Sequence, residues 1–382
     1  MLPAHEIPLA LYIHIPFCER KCPYCDFNSS AISYDETLYT QALFSDLRFD
    51  CELFALENRP VQSIFFGGGT PSLFSAAAIA EILAGVNQLL TISNTCEITL
   101  EANPSSAEQS KFRAYREAGI KRISLGVQSF EDKNLALLGR IHSSRDAHNA
   151  IAAAQSAGFV RINTDLIFAL PAQSPQEACR DLEIASSLGV EHLSWYQLSI
   201  EENTAFFASP PPNLPDDELC ADIFSAGKEL LERKGFRQYE VSAWTRGEPC
   251  RHNCNYWQFG DYLGIGAGAH GKITHQGQIW RSEKLRSANA YLRASSQEKN
   301  PYCAKLRQIL KEEQAFEFML NALRLKAGVA KAVLPARTQV CLEELKKITD
   351  ALEQEGLLSE DDFYRCTQLG FAHLNTVLER FL

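Results

Sequence analysis

No stretch of the 382 residues approaches the roughly 20 consecutive apolar positions of a membrane-spanning helix, so an integral membrane protein is not expected. An excess of basic charge is also missing. Lys and Arg number 37 against 47 Asp and Glu, a net charge of −10, which argues against nucleic acid or an anionic lipid surface as the main partner. The opening "MLPAHEIPLALYIHIPF" lacks the sequence of basic leader, long apolar stretch and small-residue cleavage site, and reads as the start of the fold. There is no internal repeat and no low-complexity tract. The twelve cysteines lack the spacing of a small secreted disulfide scaffold. Nine of them, such as Cys51, Cys96, Cys179 and Cys303, are scattered and read as buried free thiols, so a reducing, cytoplasmic location is expected.

What is present over the first 240 residues is alternation. Strand-like runs begin near Leu9, Val61, Cys96, Lys121, Val160 and Glu191, with amphipathic segments at 36–56, 76–90, 106–118, 145–157, 175–188 and 217–234. Six βα units in succession require crossovers, hence a parallel sheet covered by helices. The expected fold is α/β, a partial (βα)6 TIM-like barrel over residues 8–240. The strand runs read as mostly apolar. An aromatic and glycine-rich connecting region follows at 241–304. The chain is helical again over 305–382, where an α+β region ends in a winged-helix-like cap. That cap holds eleven basic against twelve acidic residues, so it lacks the footprint of a DNA-binding module and is expected to be a cap or interaction domain.

The loops after the strands carry the chemistry, as in barrels of parallel strands. "CERKCPYC" follows the first strand and places Cys18, Cys22 and Cys25 in a CxxxCxxC spacing. A structural zinc site closes with four ligands, and neither Asp26 nor His14 is a good fourth. Iron–sulfur clusters also usually take four thiolates, so three leave one iron open to an external ligand. "FFGGGTPS" follows the second strand. Its glycines suit a tight turn or close approach of backbone N–H groups to a ligand, and no Gly-Lys-Ser/Thr is present to make it a phosphate loop. "EANP", "GVQS" and Asp165 come next in order.

With these motifs the chain resembles the radical S-adenosylmethionine (SAM) superfamily. It resembles in particular the branch that holds oxygen-independent coproporphyrinogen III oxidase and its haem-chaperone relatives. "LYIHIPFCERKCPYCDFNS", "FFGGGTPS", "ISLGVQSF", "LGRIH", "INTDLIFALPAQ" and "CTQLGFAHLNTVLERFL" fall in the family's order. The resemblance implies a [4Fe–4S] cluster on Cys18, Cys22 and Cys25, with SAM on the open iron and cleaved there to a 5′-deoxyadenosyl radical. It implies that Tyr12, Gly68 and Glu101 line that SAM. Gly69, Thr70, Gln128, Arg140 and Asp165 would surround a second SAM, and Tyr24 matches an aromatic position of the loop. Chemically, Glu101 and Asp165 offer acceptors and Arg140 a bidentate partner for a carboxylate.

One departure bears on function. The oxidase carries a further cysteine two residues after the triplet, where this chain has Phe27. "RHNCNYW" contains the HNxxY pattern of the haem-chaperone branch, which implies haem contact by His252 and Tyr256, with Asn253, Trp257 and Phe259 nearby. His270, in "LGIGAGAHGKI", is a reserve ligand. That glycine-alanine run is expected to pack closely on a flat ligand or another strand, and Cys250 and Cys254 are read as structural or redox-labile. The implied function is haem binding and delivery to a haem-accepting protein, such as a membrane-associated respiratory enzyme, with a homodimer left open. Decarboxylation of coproporphyrinogen III propionates is the alternative, and a cluster-bearing regulator a third reading.

Overall fold

The computed structural model describes all residues except 1, 58 and 295–300. Strands β1 (Leu9–Ile15), β2 (Pro60–Gly68), β3 (Thr91–Ala102), β4 (Arg122–Gln128), β5 (Arg161–Phe168) and β6 (His192–Gln197) lie side by side in chain order, each parallel to the next. The chain returns between them through helices such as Glu36–Phe54, Ala76–Leu89, Ser144–Ser156 and Pro175–Ser187. Two of these start on capping boxes, Ser143 with Asp146 and Ser174 with Glu177, the latter with Pro175 in the first turn. The segment read as one helix over 106–118 is two short ones, Ser106–Gln109 and Phe112–Ala118.

The strands differ from the apolar reading in an instructive way. In β4, "RISLGVQ", Ile123, Leu125 and Val127 are buried in the core under the helices, while Ser124, Gly126 and Gln128 line the interior. The alternation is real. Its inner partners are polar: Ser63, Glu97, Thr99, Arg122, Asn163, His192 and Ser194 are all buried, and Asn163 joins Ser124, His192 and Ser194 by hydrogen bonds.

Among the described residues the sheet has twelve strands. On the β6 edge, β7 (Arg237–Glu240) and β8 (Ala243–Thr245) add an antiparallel hairpin. On the β1 edge, β9 (Asp261–Ile265) runs parallel to β1, and β10 (His270–His275), β11 (Gln278–Lys284) and β12 (Cys303–Gln308) continue antiparallel. This extension is fastened by buried charge. Asp261 accepts from Arg59 at 3.0 Å and Lys272 at 3.1 Å, and Lys284 donates to Asp46 and Asp50 at 2.5 and 2.8 Å. Removing one member of such a buried set typically costs about 3–5 kcal/mol, because it strands the others.

The cap comprises helices Lys311–Ala322, Val333–Arg337, Leu342–Gln354, Gln368–Ala372 and Leu374–Glu379 with a two-stranded ribbon, β13 (Val329–Ala330) and β14 (Phe363–Tyr364). Its own core includes Phe318, Leu334, Leu352 and Val377 and reaches the sheet extension through Phe259, Ile279 and Ile309. Among the described residues no helix is long and apolar enough to cross a membrane.

Candidate cofactor site

The loop after β1 is closed by its own backbone: Cys18 N donates to Ser30 O at 3.0 Å, Ser30 N to Pro16 O at 2.8 Å, and Cys25 N to Cys22 O at 3.2 Å. It presents Cys18, Cys22 and Cys25, partly buried and free of disulfides, at the mouth of a cavity of about 500 Å3. Tyr24 from the same loop lines it too, with Gly68 at the end of β2, Gly69 and Thr70 just beyond it, Glu101 from β3, Gln128 from β4, Arg140, and Asp165 from β5. Residues far apart in sequence meet here: the cysteines follow β1, Gly68, Glu101 and Gln128 lie at the ends of β2, β3 and β4, Asp165 lies within β5, and Arg140 comes from the loop after the helix Asp132–Leu137.

Among the described residues no group of three or more His, Cys, Asp or Glu side chains is gathered closely enough for a single metal ion. Three thiols facing a shared space suit a polynuclear iron–sulfur group instead. Each sulfur has a polar neighbour. Thr70 Oγ1 donates to Cys18 Sγ at 3.6 Å, Arg140 Nη1 to Cys22 Sγ at 3.6 Å, and Ser29 Oγ lies 3.8 Å from Cys25 Sγ. Burial raises the pKa of the Cys18 and Cys25 thiols above their ordinary range.

Asn103 ties these neighbours together and was not singled out from sequence. Its Oδ1 accepts from Arg140 Nη2 at 2.6 Å, and its Nδ2 donates to Thr70 Oγ1 at 3.0 Å. The signal was its place in "EANP", two residues after Glu101. On the inner wall, burial and then the nearby Asp165 push the Glu101 carboxyl up to about 8. Gly68 N donates to it at 3.2 Å. Burial also raises Asp165, which accepts from Asn163 at 2.8 Å and Ser124 at 3.1 Å. Two desolvated carboxyls, offset only in part by these bonds and by Arg122, favour a ligand that brings positive charge or hydroxyl donors.

The glycine run has a structural cause besides ligand approach. Gly68 has φ +118°, and a Cβ there would meet the His14 ring at 2.7 Å; at Gly69 it would meet Phe17 O at 2.6 Å and Cys18 Sγ at 2.9 Å.

Three expected contacts are not at the cavity. Tyr12 lies one layer below it, its hydroxyl 3.1 Å from His14 Nδ1 and its ring stacked on Phe65. His252 and Tyr256 are also placed elsewhere. They lie on the helix Arg251–Trp257, which packs under the N-terminal ends of the strands. His252 is 1% exposed, with Nδ1 at 3.0 Å from Ser63 Oγ and Nε2 at 2.7 Å from the Tyr256 hydroxyl. Burial, helped by Arg122, lowers its pKa to about 3. Both ring nitrogens are engaged inside the protein, so neither faces a porphyrin iron while this helix is seated. Cys250 donates to Glu97 at 3.4 Å and is likewise structural. The "GAGAH" run is the β9–β10 turn, packed on other backbone and on Asn28, and His270 is exposed at its end.

Comparison with known proteins agrees with this architecture. Residues 12–185 match the Radical SAM superfamily and residues 309–373 the HemN C-terminal domain. The chain is 44% identical to the heme chaperone HemW of Haemophilus influenzae and 44% identical to that of Escherichia coli, over 98% of both chains in each case. It is 37% identical to the mitochondrial radical S-adenosyl methionine domain-containing protein 1 of Bos taurus, over 97% of this chain and 86% of the other. The solved structure of coproporphyrinogen III oxidase (HemN) from Escherichia coli superposes with a TM-score of 0.82 at 21% identity, covering 99% of this chain and 90% of that one. At that identity the match speaks for the fold, while the full-length similarity speaks for descent, and the chain belongs to the HemW family within the radical SAM superfamily.

Proposed function

We propose that this protein binds haem alongside a [4Fe–4S] cluster and SAM and delivers the haem to an acceptor protein in the cytoplasm, a membrane-associated respiratory enzyme being the kind of acceptor envisaged. The observation that carries this is the 44% identity to heme chaperones along the whole chain, cap included. A second observation points the same way. Phe27, where the related oxidase has cysteine, is 60% exposed and lines the cavity, so this position offers no further thiol.

Cys18, Cys22 and Cys25 would hold the cluster, and Glu101 and Gly68 would face the SAM on it. Arg140, Gln128, Thr70 and Asp165 would shape the rest of the cavity, which could take a second SAM. Bound there, the cluster would supply single electrons. The chain's own contribution is to orient the three sulfurs through Thr70, Arg140 and Ser29 and to hold Glu101 ready to accept from an ammonium or hydroxyl group. The working division is a cofactor unit at 8–240, a connecting unit at 241–304 and a cap at 305–382.

The test is anaerobic reconstitution followed by two parallel assays. Hemin titration should give saturable binding of about one haem per chain, with transfer to an apo-haem protein on mixing. Incubation with coproporphyrinogen III, SAM and reductant should give no protoporphyrinogen above a cluster-free control. Turnover without haem binding would instead establish the oxidase reading.

A further inference from the structure

The cluster loop is fastened to a part of the chain that lies outside both family matches. Asn28, three residues after Cys25, donates through Nδ2 to Ala267 O at 2.8 Å and to Arg286 O at 2.9 Å. Ala267 belongs to the β9–β10 turn and Arg286 follows β11, whereas the matched segments are 12–185 and 309–373. Two carbonyl acceptors fix the orientation of the amide, since its oxygen could satisfy neither. On the other side, the Asn28 carbonyl accepts from His14 Nε2 at 2.8 Å. That bond places the proton on Nε2, so His14 Nδ1 accepts from the Tyr12 hydroxyl. Asn28 is therefore held from β1 and from the sheet extension at once.

The seat around it is shaped to fit. Gly268 has φ +84°, and a Cβ there would lie 2.3 Å from Asn28 Nδ2 and 2.7 Å from its Cγ. A Cβ at Gly266 would lie 2.2 Å from His14 O. Gly266 N is itself held by Asp46 and the Tyr291 hydroxyl, each at 3.1 Å, and Asp46 is the buried partner of Lys284. The turn that receives Asn28 is thus anchored in the core. The residue after Asn28 is Ser29, whose hydroxyl lies beside Cys25 Sγ.

We propose that Asn28 is a positioning residue: it clamps the cysteine loop to the β9–β11 extension, so that retention of the cluster depends on residues 266–286. This rests on the reading of Cys18, Cys22 and Cys25 as cluster ligands. A loop tethered just after its last cysteine keeps Cys25 and Ser29 in place; released, it samples arrangements in which the third sulfur leaves.

The test uses the full-length protein, anaerobically reconstituted, with three readouts: iron and sulfide per chain, the half-life of the cluster absorbance in the presence of EDTA, and the melting temperature of the cluster-free protein. Asn28→Ala should load close to the normal iron content, lose cluster at least fivefold faster, and melt within ~3 °C of the parent. Asn28→Asp, which faces a carboxylate toward two carbonyls, should lose it faster still. Gly268→Ala should behave like Asn28→Ala, and the double variant Asn28→Ala/Gly268→Ala should lose cluster no faster than the worse single one, because both act on one contact. A parent-like half-life for Asn28→Ala, or multiplicative effects in the double variant, would overturn the proposal. Failure of the parent itself to take up iron would instead sink the ligand assignment.

Discussion

At the C-terminal ends of the strands, Thr70, Arg140 and Ser29 approach three thiols around an open cavity, and Glu101 and Asp165 face it with raised pKa values. Toward the N-terminal ends of the same strands, Ser63, Glu97 and His252 are buried and Tyr256 half-buried, bonded to one another or to neighbouring backbone. Both ends carry motifs that read from sequence as ligand sites, CxxxCxxC and HNxxY. The difference between them is access: the upper groups face an open cavity, whereas both ring nitrogens of His252 and the Tyr256 hydroxyl are engaged with each other and with Ser63 inside the protein.

The largest effect expected on the open end is loss of the cluster. Replacing Cys18, Cys22 or Cys25 with Ala should reduce iron from about four per chain to background, while Cys250→Ala and Cys51→Ala should load normally. Iron loss in either control would move the ligand set away from the mouth and erase the contrast.

Next in size is the pH dependence of the cluster-free protein. Glu101 is raised from 4.5 to about 8 in the fold. The native state therefore holds this proton between about pH 4.5 and 8 while the unfolded chain releases it, so stability falls as pH rises through that window. Glu101→Gln removes this contribution. Urea unfolding should find the variant more stable at pH 9, by on the order of 2–4 kcal/mol, and little changed at pH 4.5. A constant offset at all pH values would mean that Glu101 is not held protonated. Asp165, also raised, should leave some slope in both proteins.

The smallest effect is at Thr70. Thr70→Val keeps the shape but removes the donor to Cys18 and the acceptor of Asn103. The cluster should still form, with a more negative midpoint potential, because hydrogen bonds to the sulfurs favour the reduced state. An unchanged potential in an EPR-monitored titration would show that the contact does not persist once iron is bound.

Most of the upper end was legible in the sequence. Strand-end motifs in chain order converge wherever parallel strands share a direction, so "CERKCPYC", "GGGTP", "EANP" and Asp165 had to meet. Asn103 and Asn28 were not legible as site-builders. Their role lies in partners distant in sequence, Arg140 for one and Ala267 and Arg286 for the other. The strand extension was read as a weakly periodic connector, because its glycines serve close packing and mask the alternation of β9 and β10. For His252 the sequence shows a histidine among aromatics, and only the positions of Ser63 and Tyr256 reveal that both ring nitrogens are occupied.

The sealed lower end is tested most directly by His252→Ala, followed by hemin titration and thermal melting on the same preparation. Removing the imidazole leaves a cavity and two buried hydroxyls short of a partner, a loss of about 2–4 kcal/mol. The account predicts a melting temperature lower by roughly 5 °C, with the hemin affinity and Soret position of the folded protein unchanged. A parent-like melting temperature with a lost or shifted Soret band would contradict it and make His252 a haem ligand.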